Sequence, residues 1–451
     1  MKIQRISEFQ HQISFLSASE NIEVFHSRFL ESDLGKIYQA IPWDAIVKKL
    51  GIREHSLGSK MLFSPKGRVG LMFLKHYSCC SDRKLIEQLN GNIDYQFFCD
   101  IHLGVSRLTN YKIVSQVRCE LAKTLDIDAL EKELFTHWSP YIASQSQVTV
   151  DATCYESEVR YPSVQKLLWE SIDWLYKQLK SFCRILGIKM IRSKYIKWKK
   201  RSIGFSKMRR KTKKKRRSLT RASLHLLAKF IQFEDQLRKQ HKLEFVTRYY
   251  RRVATIKKIH AQQLEYFNTG VSPTNRIVSI DKDYLRPIVR GKEIKPVEFG
   301  AKVNKLQIDG INFIEHLSFN AFNEGTRLKS TVFKAQSLSQ TKLKIIGADA
   351  IYATNKNRKF ITKHKIKSDF KPKGKLPKDY KDQKKLKAII AKERATRLEG
   401  SFGKEKEHYH LKKIKAKTKL TEKLWIFFGI HTANALEIGR RIQNNRVQIA
   451  V

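Results

Sequence analysis

Two apolar runs of strand character each close on an aspartate, roughly 200 positions apart in the chain. Gln147-Val148-Thr149-Val150-Asp151 is the first, with Val148 and Val150 on one face and the carboxylate ending the run. Leu343-Lys344-Ile345-Ile346-Gly347-Ala348-Asp349 repeats the pattern. Strand ends of this kind sit at the edge of a sheet, where α/β folds bind their ligands. Between and around the two runs the apolar residues recur at helical spacing, which predicts an α/β chain with long helical stretches.

The charge balance narrows what such a sheet edge would meet. Ninety Lys and Arg face 42 Asp and Glu, a formal net charge of +48 in 451 residues. A chain so charged repels itself unless a polyanion is its usual partner. Hydrophobic residues at 41% and aromatics at 10% nevertheless support a buried core rather than a disordered basic tail. Positive charge spread along the chain and accompanied by aromatics favours nucleic acid over a membrane surface. The opening Met1-Lys2-Ile3-Gln4-Arg5-Ile6-Ser7-Glu8 has no apolar core of a signal peptide. Leu424 to Ile430 is too short to span a bilayer. The six cysteines (Cys79, Cys80, Cys99, Cys119, Cys154, Cys183) form no CxxC pair and read as buried thiols of a reduced, cytoplasmic protein.

Along the chain, a short helix is predicted over Asp33 to Ala40. From Trp43 to about Asp126 the apolar spacing (Leu71, Phe73, Leu74; Leu85, Ile86, Leu89; Val105, Leu108, Ile113, Val114, Val117) predicts four or five helices, with N-caps at Ser64 and Ser81. Val159 to Pro162 reads as a second strand broken by its proline. From Leu167 to about Phe267 the pattern is helical and strongly basic. Fifteen Lys or Arg and no acid lie between Arg192 and Arg217, peaking at Arg209 to Arg217, with Tyr195, Trp198 and Phe205 interleaved. Such a run is either a solvated face or an ordered phosphate-binding surface. Strands are predicted at Gln147–Tyr155, Arg276–Ile280, Glu298–Ile308, Phe313–Phe319 and Leu343–Ala350, an exposed charged loop over Lys363–Lys387, and helices over Ala391–His408 and Thr421–Asn445. Leu424-Trp425-Ile426-Phe427-Phe428 reads as a core helix segment.

Phosphoryl transfer on a polyanion needs an activated attacking oxygen and a stabilised leaving oxyanion, which two divalent cations about 4 Å apart provide. Mg²⁺ and Mn²⁺ take hard oxygen ligands, so Asp and Glu are the residue types to look for. Asp151 and Asp349 at strand ends, with the longer Glu399 reaching from a helix, fit that requirement. Asp281, Asp283, Asp309 and Glu393 compete with them, and chemistry alone does not rank the set. His408 and His410 are not needed by two-metal chemistry and read as packing or phosphate contacts.

Three segments rank the acids. Val148-Thr149-Val150-Asp151-Ala152-Thr153, Ile346 to Asn355 around Ala348-Asp349-Ala350, and Arg397-Leu398-Glu399-Gly400-Ser401-Phe402-Gly403-Lys404-Glu405-Lys406 resemble the catalytic segments of bacterial insertion-sequence DDE transposases. Leu71 to Ser78, Ser81 to Glu87 and Tyr95-Gln96-Phe97-Phe98-Cys99 resemble the N-terminal helical domain of the same proteins, so the resemblance runs from about residue 40 to 440. It implies an α/β, ribonuclease H-like mixed sheet with flanking helices, preceded by an all-helical N-terminal domain and interrupted by a basic helical insertion. The corresponding boundaries are an N-terminal segment 1–40, a helical DNA-binding or assembly domain 41–130, and a catalytic domain 145–445 with an insertion at 166–270.

By the same resemblance Asp151, Asp349 and Glu399 are the catalytic residues and the ligands of Mg²⁺ or Mn²⁺, two ions in all. Members of this group often carry an arginine four residues before the Glu and a lysine seven after. Lys406 matches the lysine. Position 395 is alanine, with Arg394 and Arg397 on either side, so both remain candidates for contact with DNA. Lys213, Lys214, Lys215, Arg216 and Arg217 are the candidate DNA contacts of the insertion. The implied activity is binding of terminal inverted repeats, cleavage there, and transfer of the freed 3′-hydroxyl into target DNA. A homodimer or higher oligomer on the two DNA ends, acting at the bacterial nucleoid without a membrane, goes with it. A metal-dependent nuclease with the same core, or a non-catalytic DNA- or RNA-binding protein, are the alternatives.

Overall fold

The computed structural model describes residues 22–54, 61–104, 106–289, 296–374 and 380–450. Val105 and the opening residues 1–21 lie outside the described residues, as does part of the predicted charged loop at 375–379. The chain divides into two compact units, one of residues 1–157, 301–318 and 322–451, the other of 158–300 and 319–321.

The first unit begins with helices α1 (Ile22–Glu31), α2 (Asp33–Ala40), α3 (Trp43–Lys49), α4 (Pro65–Ser78), α5 (Asp82–Gly91), α6 (Ile93–Phe98), α7 (Lys112–Leu121) and α8 (Ile127–Trp138). The predicted caps are in place. Ser64 accepts from the Gly67 N–H ahead of Pro65, and Ser81 accepts from the Lys84 N–H. The helical-spacing residues Leu71, Phe73, Leu74, Leu85, Ile86, Leu89, Val114 and Val117 are buried in one core with Leu424, Phe427 and Phe428 from the far end of the chain.

Strand β1 (Gln147–Ser157) follows, and after the second unit come β3 (Val297–Ile308) and β4 (Ile311–Ser318); β2 (Pro287–Val289), in the second unit, pairs with the start of β3. The β3–β4 hairpin turns on Asp309-Gly310, both at positive φ, the pair that a tight two-residue turn demands. Then come α13 (Leu328–Ser339), β5 (Ile345–Ala348), α14 (Asn355–Lys363), β6 (Lys367–Ser368), α15 (Tyr380–Glu393), a π-turn over Arg394–Leu398, α16 (Glu399–His408), β7 (Lys413–Ile414) and α17 (Lys419–Ala450). Across the sheet of this unit the order is β4-β3-β1-β5-β6, with β7 on the end of β1; β1, β5 and β6 run parallel and β3–β4 antiparallel. The architecture is thus α/β, with a mixed sheet and many helices.

Two strand predictions fail. Residues 159–162 and 276–280 are irregular. Pro162 has no N–H to give a ladder, and Ser163 caps α9 (Val164–Ile185) instead. Ile277 is buried with Leu167 and Ile259, and its N–H goes to the Gln262 side chain rather than to a strand. The strand predicted over Gln147–Tyr155 is present as β1, which runs on to Ser157, so Asp151 ends the apolar run but lies within the strand rather than at its end. The predicted helix at 391–408 is longer, starts earlier and contains the π-turn.

The second unit is built on α9, α10 (Tyr195–Lys207), α11 (Lys213–Gln240) and α12 (Thr247–Thr269). Leu168, Ile172, Leu175, Leu179, Leu224, Leu227, Phe230, Leu237 and Ile256 form its core. Among the described residues no helix is long and apolar enough to cross a membrane. All six cysteines are free; Cys99, Cys154 and Cys183 are buried, whereas Cys119 is exposed, against expectation.

Candidate active site

The register of two parallel strands brings the first two acids together. β1 and β5 pair Gln147↔Ile345, Val148↔Ile346, Thr149↔Gly347 and Val150↔Ala348, so the next position is Asp151 beside Asp349. Side chains alternate along a strand, so both carboxylates share the face of Thr149 and Gly347. Helix α15 covers that face. A Cβ at Gly347 would stand 2.6 Å from the Ile390 side chain and 3.2 Å from that of Thr149, so only glycine lets the helix lie this close. Asp151 accepts from the Ala152 N–H at 2.7 Å and Asp349 from the Ala350 N–H at 2.7 Å.

The helix then delivers the third acid. Glu399 opens α16 directly after the π-turn, in which its N–H bonds the Arg394 carbonyl five residues back. Because the turn carries one extra residue, Arg394 stands over Glu399 as a residue four positions earlier would in an α-helix. Its guanidinium lies 3.4 Å from Glu399 Oε1, 3.9 Å from Asp349 Oδ1 and 3.8 Å from Asp369 Oδ2. Arg397 points elsewhere, to Asp309 at 3.1 Å and Glu393 at 2.9 Å. Lys406, two turns beyond Glu399, donates to Thr153 Oγ1 at 3.0 Å, two residues along β1 from Asp151.

Electrostatics mark Asp151 out. Burial pushes its carboxyl up to about 6; the Ala152 N–H opposes this, Glu324 raises it further, Arg394 opposes and Asp349 raises. Neither Glu324 nor Asp369 was singled out from the sequence. Glu324 sits in a one-turn 3₁₀ helix, paired with Lys302 at 2.7 Å, and Asp369 accepts the Ala348 N–H at 3.1 Å just past β6. The competing acids are spoken for: Asp281 pairs with Arg252, Asp283 with Arg251, Asp309 with Arg397 and Arg441, and Glu393 with Arg397. His410 packs against Trp425 and His76, while His408 is exposed.

Beneath the site lies a buried polar network. Lys305 on β3 pairs with Glu405 on α16 at 2.6 Å, both fully buried. Glu405 also accepts from the Tyr155 hydroxyl on β1 and from Asn312 Nδ2 at 3.1 Å. These bonds fix α16 onto the sheet through a face next to the one that carries Glu399 and Lys406.

As they stand, no group of three or more His, Cys, Asp or Glu side chains among the described residues is arranged to hold a metal ion. The donor set is nevertheless all carboxylate, the hard oxygen chemistry that Mg²⁺ and Mn²⁺ select. A buried carboxyl raised to about 6 beside further carboxylates is a place where added positive charge is favourable. On these grounds the residues present fit a divalent cation.

Lys213 to Arg217 form the exposed first turns of α11 in the second unit.

Residues 346–430 match the family model of the transposase DDE domain, a span that holds Asp349, Arg394, Arg397, Glu399 and Lys406. Residues 24–120 match that of a transposase domain, DUF772, over α1 to α7. No curated protein and no solved structure matches the chain. With a transposase domain matched over residues 24–120 and a transposase DDE domain over residues 346–430, the chain is consistent with an insertion-sequence DDE transposase.

Proposed function

We propose that the protein binds the terminal inverted repeats of an insertion sequence, cuts there, and transfers the 3′-hydroxyl ends into target DNA. The observation that carries this reading is the register placing Asp151 beside Asp349, with Glu399 delivered over the same sheet face. The sheet order supports a ribonuclease H-like core, since β1 bears the first acid and β5, fourth strand of its unit after β1, β3 and β4, bears the second. The second unit then corresponds to the insertion at 166–270 of a catalytic domain spanning 145–445, and residues 41–130 to a DNA-binding or assembly domain.

Asp151, Asp349 and Glu399 would hold Mg²⁺ or Mn²⁺, two ions in all. When bound, these ions supply Lewis-acid activation of the attacking oxygen and stabilise the leaving oxyanion. Arg394 orients Asp349 and Glu399 and carries a guanidinium suited to phosphate. Lys406 offers an ammonium beside β1 to the DNA backbone, Arg397 lies at the rim, and Lys213 to Arg217 contact phosphates. Two subunits act together because two ends must be cut and joined, and the activity belongs at the nucleoid.

The test is Mg²⁺- or Mn²⁺-dependent cleavage of a duplex carrying the element's own end. Asp349→Ala and Asp151→Asn are expected to lose cutting and keep DNA binding. A variant that still cuts would refute the acid assignment.

A further inference from the structure

Helices α10 and α11 carry a charge pattern that the catalytic site does not use. All fifteen cations between Arg192 and Arg217 are exposed, and none makes an ion pair among the described residues. From Arg192 to Ile231 the sequence has no Asp, Glu, Asn or Gln. The acids of this unit lie on other elements or, as Glu234 and Asp235, near the far end of α11, and are largely matched there: Asp173 with Lys177, Asp235 with Lys257 and Arg238, Asp283 with Arg251.

The cations are mounted on a built scaffold rather than on a tail. Tyr195 at the start of α10 stacks on Tyr176 with ring centres 3.7 Å apart and bonds Asp173. Lys229 ties back to the Arg192 carbonyl at 2.8 Å. Arg201 reaches across to Ser218 at 3.1 Å, and Arg217 and Arg221 lie over the Phe267 ring. The aromatics of this stretch are therefore consumed by packing: Tyr195 and Phe205 are buried and Trp198 is half-buried under Arg201. No exposed ring remains here to stack an unpaired base.

The start of α11 adds a second observation. Lys213, Lys214 and Lys215 fill the first turn of a 28-residue helix, with no acid there. That is the positive end of the helix dipole, where cations are unfavourable and anions favourable. The free protein thus bears an electrostatic conflict in this turn that bound phosphates relieve.

We propose that the α10–α11 surface is a sequence-independent docking site for the phosphate backbone of double-stranded DNA. It deepens the transposase reading by assigning duplex backbone contact to the second unit, but it does not depend on cleavage. The partner is a duplex because the surface offers charge without stacking rings. It is read without sequence because a dense field of exposed cations meets phosphates, which carry no base identity.

The experiment uses the full chain. The variant with Lys213→Gln, Lys214→Gln, Lys215→Gln, Arg216→Gln and Arg217→Gln is compared with wild type. Binding to an end-bearing duplex, an unrelated duplex and a single strand of equal length is measured across KCl concentrations. The expected result is a similar loss on both duplexes, at least about tenfold, with the log–log salt slope shallower by about 4. The free variant should also melt higher than wild type, because the conflict at the first turn is gone. A second variant in α10, with Lys197, Lys199, Lys200 and Arg201 changed to Gln, repeats the binding test with α11 untouched. An unchanged slope in both variants, a loss confined to the end-bearing duplex, a greater loss on the single strand, or a lower melting point of the free α11 variant with native binding would each overturn the proposal. Failure of the catalytic reading looks different: the wild type would keep the steep slope on any duplex and never cut.

Discussion

Arg394 and Arg397 differ by three positions and face different partners. Arg394, largely buried, has Asp349, Glu399 and Asp369 within 4 Å, and its Nε makes no hydrogen bond. Arg397 is half-exposed and engaged with Asp309 and Glu393. Removing Arg394 leaves three carboxylates without their shared counter-charge and moves Asp349 and Glu399, the two proposed metal ligands it touches. Arg394→Ala is therefore expected to cut the cleavage rate by about 10²-fold or more, since small misplacements in an active site have that effect. Arg397→Ala should change the rate less than tenfold. Single-turnover cleavage measures both, and equal losses would remove the distinction. Sequence alone could not separate the two arginines, because the spacing that decides between them is that of the π-turn and not that of an α-helix.

At the scale of elements, α16 is positioned by what it buries. The Lys305–Glu405 pair is fully buried and joined by Tyr155 and Asn312, so removing one partner strands a charge in the interior. Glu405→Ala should destabilise the protein by about 3–5 kcal/mol. Replacing both, Lys305→Met with Glu405→Leu, should recover only part of that loss, because no charge is stranded but the Tyr155 hydroxyl and the Asn312 amide lose their acceptor. Urea unfolding of the three variants gives the answer; additive losses would mean the pair is not a coupled unit. The helix also holds two registers at once. Ile390 packs over Gly347 on β5, while Arg394 reaches Asp349 and Glu399, and the π-turn accommodates the extra residue between them. Deleting Ala395 closes that turn into an α-helix with Arg394 four positions before Glu399, the relation the π-turn already holds, so both registers should survive. Cleavage should stay within about tenfold of wild type with duplex binding retained, measured by the same end-cutting assay; a larger loss would show that the bulged residue itself is needed.

These elements also mark how far the sequence could be read. Helix α2, the Ser64 and Ser81 caps and the start of β1 follow from local chemistry, and the structure has them where the residues predict. The β-branched run at Arg276–Ile280 misleads, because Ile277 is buried against Leu167 and Ile259 of two helices rather than in a sheet. Asp151 and Asp349 were legible as acids on apolar runs, but their adjacency comes from the parallel register of β1 and β5. Glu324 and Asp369 carry no local signal at all; they reach the site through a 3₁₀ turn and a two-residue strand.

At the scale of the whole chain, the opening helices and the closing helix belong to one compact unit. His76 on α4 bonds the Tyr409 carbonyl at 3.0 Å across 333 positions of sequence, and His76 and His410 both pack on Trp425. Burial holds the His76 imidazole well below its ordinary range, with His410, Lys75 and Arg118 adding to it and the Tyr409 carbonyl opposing. Burial likewise lowers His410, to about 4, with Lys75 and Lys415 adding and Asp82 opposing. Both rings are therefore neutral in the folded chain at a pH where the unfolded chain protonates them. Stability from this seam is complete above about 6.5 and falls as the pH drops toward 4, because only the unfolded state gains the protons. His410→Phe keeps the packing and removes one of the two titrations. Its acid slope should be shallower than wild type by up to about 1.4 kcal/mol per pH unit, less in so far as the ring is partly exposed. Urea unfolding at intervals from pH 7.5 to 4.5 reads this directly. Parallel curves for the two proteins would mean that the acid sensitivity of the chain arises away from the seam between α4 and α17.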